Sequence, residues 1–491
     1  MNKKAQNARI IAHEVLFALA VALFFVVLVM IALGYRLRRD SESGLPVWER
    51  TALLRVGSFP TGANIILNNT DTGRRTTLSA QRLVISAGNH TLRVDRDGYH
   101  SWQHAFTATE AEITWFDYIQ LFPVDRGGNV VQSFASTQQV WRSPIGERAL
   151  VLTPATRTTS PQLNILTLTA TNANTTAINF PSEITEPDLI SWSKDDSLAL
   201  LCQRKSATSR SSTTDRCTML DVDRGRLSTV NLPNDRSEEL LDVAFVNSRT
   251  LLVITSARAY LYDTTNTTSQ KLNVHIPTDN LPQRLALTTS DATLLYFTSA
   301  PSNTASPTYH LATVNANGTF SGIYTDDAPF EFAATRYLND FVVAIAGRSQ
   351  LRIYFSSSSS LFGSINGLAL QNEYPISTPT SPITTNGRFI VAASGQSVDL
   401  ERLVSSQFDN NCHGSAWQKL SNAQLYCPDT HQLMIKDFDG TNQVNIRLPD
   451  AVAMPPADAL PAALVNRRTL YYWTLETINN TPQLQLRQLR L

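Results

Sequence analysis

Ile190-Ser191-Trp192-Ser193-Lys194-Asp195-Asp196-Ser197-Leu198-Ala199-Leu200-Leu201-Cys202 decides how the long C-terminal part of the chain folds. A short apolar strand ends at Trp192, a polar turn follows, and Leu198–Cys202 is apolar throughout. A run this short, bounded by turn residues and without 3.6-residue periodicity, reads as a strand buried on both faces. The same pair recurs along the chain. Val140-Trp141-Arg142-Ser143 leads to Ala149–Leu152, Val243-Ala244-Phe245 to Leu251–Ile254, and Leu285-Ala286-Leu287 to Leu294–Phe297. Phe341–Ile345 and Phe389–Ala392 follow, then Ala416-Trp417 with Leu425–Cys427, and Ala463–Val465 with Leu470–Trp473. A third strand often ends at an acidic residue, as in Met219-Leu220-Asp221, Tyr260-Leu261-Tyr262-Asp263 and Met434-Ile435-Lys436-Asp437.

The spacing of these units, roughly 40–50 residues, is that of a β-propeller, in which four-stranded blades form a closed ring. Ser191-Trp192-Ser193-Lys194-Asp195-Asp196-Ser197-Leu198-Ala199 resembles the W-S-x-D-x-x-x-L-A unit of TolB-type and WD40-like repeats. About eight starts over 124–491 favour eight blades, with seven as the alternative. The last unit has three clear strands, and Asn129–Phe134 is expected to supply its missing outer strand, latching the ring. A chain of β-sandwich domains would repeat at roughly 90–100 residues, a spacing not seen here. Asp195-Asp196 and Asp437–Asn442 read as exposed turns, and the run Ser356–Ser360 as a loop.

Residues 51–123 alternate differently. Leu53–Val56, Asn64–Leu67, Arg82–Ile85, His90–Val94, Trp102–Thr107 and Ile113–Leu121 are short strands. Pro60-Thr61-Gly62, Asn68-Asn69, Asp71-Thr72-Gly73, Ala87-Gly88-Asn89 and Asp97-Gly98 are turns between them. The expected product is a small β-sandwich. Ser58-Phe59-Pro60-Thr61-Gly62-Ala63, Ala87-Gly88-Asn89-His90-Thr91-Leu92-Arg93-Val94, and Asp97-Gly98-Tyr99 with Trp102 resemble the PEGA domain. Thr72–Thr77 lacks the proline usual in that family, and Ala87 stands where a proline is common. The resemblance implies a surface-exposed module with no enzymatic role of its own. Alternation places His100 and His104 on one exposed strand face.

Val15–Leu33 holds about 19 uncharged residues, enough for a helix across a ~30 Å hydrocarbon core. A cleavable signal peptide would have a shorter apolar region and a small-residue cleavage site. The reading is therefore a single-pass membrane signal anchor in 1–35, with 36–50 as a juxtamembrane linker. Lys3, Lys4 and Arg9 before the helix nearly balance Arg36, Arg38 and Arg39 after it. The free amino terminus and paired cysteines tip the expected orientation toward a cytoplasmic N-terminus, with the bulk of the chain extracellular. A cytoplasmic ectodomain is the alternative.

The 491 residues carry a formal net charge of zero and only 17% charged residues, with no long basic stretch. Nucleic acid is therefore not an expected partner. Cys202, Cys217, Cys412 and Cys427 form two pairs, each about 15 residues apart and each flanking a polar stretch between strands. Two disulfides between neighbouring strands are expected, with four reduced cysteines as the alternative. No G-x-S-x-G elbow, P-loop, dinucleotide fingerprint or H-E-x-x-H occurs, so no catalytic or metal residue and no cofactor is assigned. The inner strands carry mainly Trp, Ser, Ala and Leu. The expectation is a membrane-anchored, non-enzymatic binding or scaffold protein with a protein, peptide or glycan ligand of the cell envelope. The alternative is an envelope lyase or hydrolase using the propeller channel, which needs carboxylates, His or Tyr converging at its mouth.

Overall fold

A computed structural model describes residues 3–491 except 33–34, 40–45, 125–126, 136–138, 145, 154–159, 182–183, 185–186, 188, 204–214, 234–237, 278–283, 290–291, 300–305, 357–367, 378–382, 386, 393–394, 408–416, 422, 430, 449–451 and 454–461. The chain divides into two units, Met1–Val124 and Asp125–Leu491, at the boundary marked by Pro123 and Asp125.

The first unit opens with helix α1 (Lys3–Ala32). Its side chains are described from Val15 to Met30, about 24 Å of helix at 1.5 Å per residue. They are apolar on every side and mostly exposed, Leu16 and Phe17 at 72% each. Among the described residues, no helix is long and apolar enough to cross a membrane.

Eight strands follow: β1 (Tyr35–Arg39), β2 (Pro46–Phe59), β3 (Asn64–Leu67), β4 (Thr70–Arg75), β5 (Gln81–Ser86), β6 (Gly88–Asp95), β7 (Trp102–Ala108) and β8 (Ile113–Gln120). One sheet runs β1-β2-β5 with β8 parallel to β2, and the other runs β4-β3-β6-β7. Alternating residues of the two sheets meet in one core. Leu54, Val56, Ile65, Leu92, Val94, Phe116 and Ile119 are all at most 1% exposed there. Phe106 and Phe116 meet edge to face at 5.1 Å, the favoured aromatic geometry. Asn68 and Asn69, both at positive φ, close the β3–β4 hairpin as a two-residue turn requires.

Three expectations change in this unit. Residues 36–50 are not a linker throughout: β1 pairs with the start of β2, Tyr35 opposite Arg50 and Leu37 opposite Trp48. Arg50 donates its Nε–H to the Tyr35 hydroxyl at 2.9 Å and bridges Glu110 at 2.6 Å, which anchors the hairpin. Asp71-Thr72-Gly73, read as a turn, lies within an edge strand, Thr70–Arg75, whose residues are nearly all exposed. His100 precedes β7, and both it and His104 are half-buried rather than exposed on one strand face; the His104 ring stacks on Trp102 at 5.8 Å and lies 5.2 Å from Phe116.

In the second unit the described strands form eight sheets in chain order. The second sheet is typical: Leu189–Trp192, Leu198–Gln203, Arg216–Asp221 and Arg226–Val230, antiparallel neighbours throughout. In each of the first seven sheets the first strand lies innermost, as contacts between successive first strands show for several of them. The second strands, such as Thr250–Thr255, are buried on both faces because a sheet packs on either side. The fourth strands, such as Ala173–Asn179, are largely exposed.

Sheets pack face to face around a ring. Leu163 and Ile165 of the first meet Trp192 and Leu201 of the second. Leu200 and Met219 of the second meet Val243 and Leu251 of the third. One core spans the third to fifth sheets, and another joins the fifth to the sixth. Phe389 of the sixth stacks on Phe438 of the seventh at 5.6 Å. Val140 and Val151 of the first pack against Tyr471 and Trp473 of the eighth, which closes the circle. This arrangement is a β-propeller.

The eighth sheet carries the latch. Val452–Ala453 and Ala463–Val465 pair with Thr469–Ile478, which pairs with Thr481–Arg490. Asn129–Ala135 is its outermost strand, with Phe134 opposite Leu484. Gly128 donates its N–H to the Tyr472 hydroxyl at 2.8 Å, and the buried Arg487 donates to the Gly128 carbonyl at 3.0 Å. The expected outer-strand role of Asn129–Phe134 is the one observed.

Asp195-Asp196 departs from expectation. Asp195 is exposed, but Asp196 is buried at 3% and sits at positive φ. Asp437–Asn442 is a turn between Gln432–Asp437 and Val444–Arg447, with Asp437 and Phe438 buried. Ser356 ends the strand Gln350–Ser356, and Ser357–Ser360 lie outside the described residues.

Candidate functional site

The innermost strands face the ring axis, so their ends line the mouth of a channel. Two of them end on a cation two or fewer residues after a tryptophan: Trp141-Arg142 in the first sheet and Trp417-Gln418-Lys419 in the seventh. The turn after Arg142 is built by Ser143, whose Oγ accepts the N–H groups of Gly146 (3.1 Å) and Arg148 (3.3 Å). Ser193 does the same work in the second sheet, accepting the Leu198 N–H at 2.9 Å and donating to Asp195 at 2.7 Å. Hydrogen bonds from Ser193 and Ser197 hold the Asp195 carboxyl below its ordinary range. Gly146, at φ +90°, lies directly on the Arg142 guanidinium, so a side chain there would be strained and would have to displace that group.

Arg142 reaches the neighbouring eighth sheet. Its Nη1 donates to the Ala462 carbonyl at the start of the eighth sheet's inner strand. Its Nε is buried and has no hydrogen-bond partner. Tyr426, on the second strand of the seventh sheet, donates its hydroxyl to Gln418 on the neighbouring inner strand. Burial pushes the Tyr426 hydroxyl up despite the nearby Arg142. Burial, with repulsion from Arg142, pushes the Lys419 ammonium down to about 8. Arg142 itself is lowered by burial, with Tyr426 and Asp196 opposing that shift. Asp196 is thus the carboxylate that Arg142 feels. Next door, Lys436 holds its ammonium 3.8 Å over the Trp417 ring, a cation–π contact.

This cluster can hold a negatively charged group, and it brings no pair of carboxylates together for acid–base work. The inner strands therefore carry more than the expected Trp, Ser, Ala and Leu. Among the described residues, no group of three or more His, Cys, Asp or Glu could hold a metal ion. The buried Asp242, on the third inner strand, is structural. It accepts the N–H groups of Leu285 (3.0 Å) and Ala286 (2.9 Å) leading into the fourth sheet, and burial raises its pKa. A second concavity of about 800 Å³ lies along the outer strand Arg226–Val230, against Tyr262 and Thr264 of the third sheet.

Cys202 and Cys217 sit opposite each other on neighbouring strands and form a disulfide, Cα–Cα 4.1 Å. Cys427 is also disulfide-bonded, and Cys412, its expected partner, lies outside the described residues.

Residues 51–120 match the PEGA domain. The PEGA module spans β2 to β8, apart from the first residues of β2, and so coincides with the sandwich of the first unit. No curated protein matches the chain. Among solved structures, it is similar to Porphyromonas gingivalis dipeptidyl peptidase 4 at 11% identity and TM-score 0.44, covering 74% of this chain and 62% of that one. It is also similar to the β-propeller domain of Myceliophteria thermophila Cps50 (Swd1), at 10% identity and TM-score 0.37, covering 73% and 99%. A third is the β-propeller domain of the Trilobed protease from Pyrococcus furiosus, at 9% identity and TM-score 0.35, covering 73% and 97%. Enzymes and non-enzymes share this architecture, so activity has to be argued from the site.

Proposed function

We propose that this chain is a single-pass, membrane-anchored binding protein without enzymatic activity, displaying a PEGA module and an eight-bladed propeller outside the membrane. The observation that carries the binding reading is the composition of the channel mouth. Arg142, Gln418 and Lys419 end inner strands there with one carboxylate, Asp196, and the one tyrosine, Tyr426, is engaged in donating to Gln418, whereas a channel enzyme needs acids, histidines or tyrosines that converge on a substrate. The partner is a protein, peptide or glycan of the cell envelope. The apolar run Val15–Leu33 supports the anchor, and the Cys202–Cys217 disulfide supports an oxidising compartment.

Protease shaving of intact cells tests the topology. Release of fragments from 125–491 is expected, and an untouched ectodomain under conditions that digest it in lysed cells overturns the placement. Incubation of the full chain with envelope polysaccharide tests the rest. Saturable binding without product is expected, and new reducing or unsaturated ends overturn the non-enzymatic reading.

A further inference from the structure

We propose that the β1–β2 hairpin is a membrane-docking surface, which seats the PEGA module on the headgroup layer of the bilayer that α1 enters. The inference deepens the anchoring reading above and rests on it. Side chains alternate along a strand, and residues directly opposite in an antiparallel pair share one side of the sheet. Ala52, Leu54 and Val56 of β2 point into the sandwich core and are at most 4% exposed. Arg50 and Trp48 continue that same side toward the start of β2. The register adds their partners on β1, Tyr35 opposite Arg50 and Leu37 opposite Trp48. The core-facing side of this sheet therefore runs on past the end of the core. Tyr35, Leu37 and Trp48 lie outside the core cluster, and Leu37 is 54% exposed. The overhang is not a loose ribbon, because Arg50 ties it down through the Tyr35 hydroxyl and through Glu110 beyond the hairpin. The other side of the hairpin sets the exposed Arg36 against Glu49, so it suits water.

Chain length argues for what covers the apolar side. α1 ends at Ala32 and β1 starts at Tyr35. Three residues of chain span at most about 11 Å. Whatever medium the apolar side chains of α1 enter, the Tyr35 end of the hairpin stands within that distance of it. The headgroup layer on each side of a bilayer is about 5–8 Å thick. Tyr35 thus reaches that layer. Leu37 and Trp48 lie about 7 Å further along the strands and reach it when the hairpin lies along the surface. Tyrosine and tryptophan, with an apolar body and a polar edge, favour this layer over both water and hydrocarbon. Leu37 adds apolar surface that water covers unfavourably. The hairpin thus holds the module against the bilayer, where a linker would leave it free on a tether.

The full chain is reconstituted into nanodiscs of phosphatidylcholine and phosphatidylglycerol whose acyl chains are brominated either near the headgroup or near the chain ends. Bromine quenches tryptophan only at close range, and of the seven tryptophans Trp48 lies nearest to α1 in sequence. Bromine near the headgroup is expected to quench part of the emission, and bromine near the chain ends to quench less. Trp48→Phe is expected to abolish the quenched part. Leu37→Asp, at an exposed position, is expected to reduce the quenching with Trp48 still in place, and it serves as the test if Trp48→Phe fails to fold. Absence of quenching in a chain that has entered the discs overturns the docking and leaves the anchor standing; a face covered by a second copy would give that result. Quenching that persists unchanged in both variants, or is stronger from the chain ends, overturns it equally. A chain that does not enter the discs overturns the anchor and the docking together.

Discussion

Gly128→Ala is expected to loosen the ring at its seam. A Cβ at this position would lie 2.8 Å from the Gln488 carbonyl oxygen, 2.9 Å from its carbon and 3.1 Å from the Tyr472 hydroxyl. Two of those atoms are backbone, so residue 128 has to move. Movement breaks the Gly128–Tyr472 bond and the bond from the buried Arg487. Losing a buried hydrogen bond to a charged donor costs about 1.5–3 kcal/mol and a neutral one about 1, so the expected loss is roughly 3 kcal/mol. The unit spans Asp125–Leu491. At about 2.1 cal/mol/K per residue its unfolding entropy is roughly 0.8 kcal/mol/K, so the melting temperature falls by about 4 °C. Differential scanning calorimetry of the full chain should show this shift in the propeller transition and none in the PEGA transition. Gly73→Ala is the opposite control: φ is +68° with open space around it, so about 1 kcal/mol of backbone strain falls on the PEGA module alone. A shift below 1 °C for Gly128→Ala, or one confined to the PEGA transition, refutes the latch reasoning.

Asp242→Ala leaves the Leu285 and Ala286 N–H groups without their acceptor and should cost about 2–4 kcal/mol in urea unfolding, whereas Asp242→Asn, which keeps one oxygen, should cost less. A Cys202→Ser, Cys217→Ser double variant opens a loop of sequence separation 15 and should lose about 3 kcal/mol; a loss under 1 in the same assay contradicts a structural disulfide. Lys419 gives a pH signature. Its folded pKa is near 8, below the ordinary lysine value, so between these the unfolded chain binds more protons and stability rises with pH. The rise should begin near pH 8 and end near pH 10, where Tyr426 and Tyr472, held neutral by burial, start to ionise in the unfolded chain and pull stability down. Lys419→Met should flatten that window in denaturation midpoints measured from pH 7 to 10.

Much of the propeller was legible because its second strands are buried on both faces and read as unbroken apolar runs, Leu198–Cys202 and Leu251–Ile254 among them. The latch strand was legible because the last unit lacked a partner and Asn129–Phe134 had none. Thr70–Arg75 was not, since an edge strand with both faces exposed needs no apolar residue. The parallel pairing of β2 with β8 leaves no local mark, because the register joins residues about 60 apart, such as Leu54 and Thr114. The hairpin pairing of Tyr35–Arg39 with Pro46–Arg50 is obscured in the sequence, because a polar stretch with Gly44 and Pro46 reads as a linker. The channel site was illegible for a similar reason. Arg142 and the Ala462 carbonyl it donates to are 320 residues apart, and the ring alone brings them together. A signal did exist in the cation following each inner-strand tryptophan, at Trp141-Arg142 and Trp417-Gln418-Lys419.

The latch also sets a timetable. The Gly128–Tyr472 bond joins residues 344 apart, so the strand after Gly128 leaves the ribosome long before Thr481–Arg490 exists. At about 5–20 residues per second that interval is tens of seconds. Throughout it, a strand carrying Val130, Val131 and Phe134 has an open edge on each side, the form of backbone most prone to pair with another chain. The ring therefore cannot shut as it grows. Nascent copies crowded on one message are at risk of exchanging this strand, and a ribosome stalled before residue 481 leaves a chain with nothing of its own to receive it.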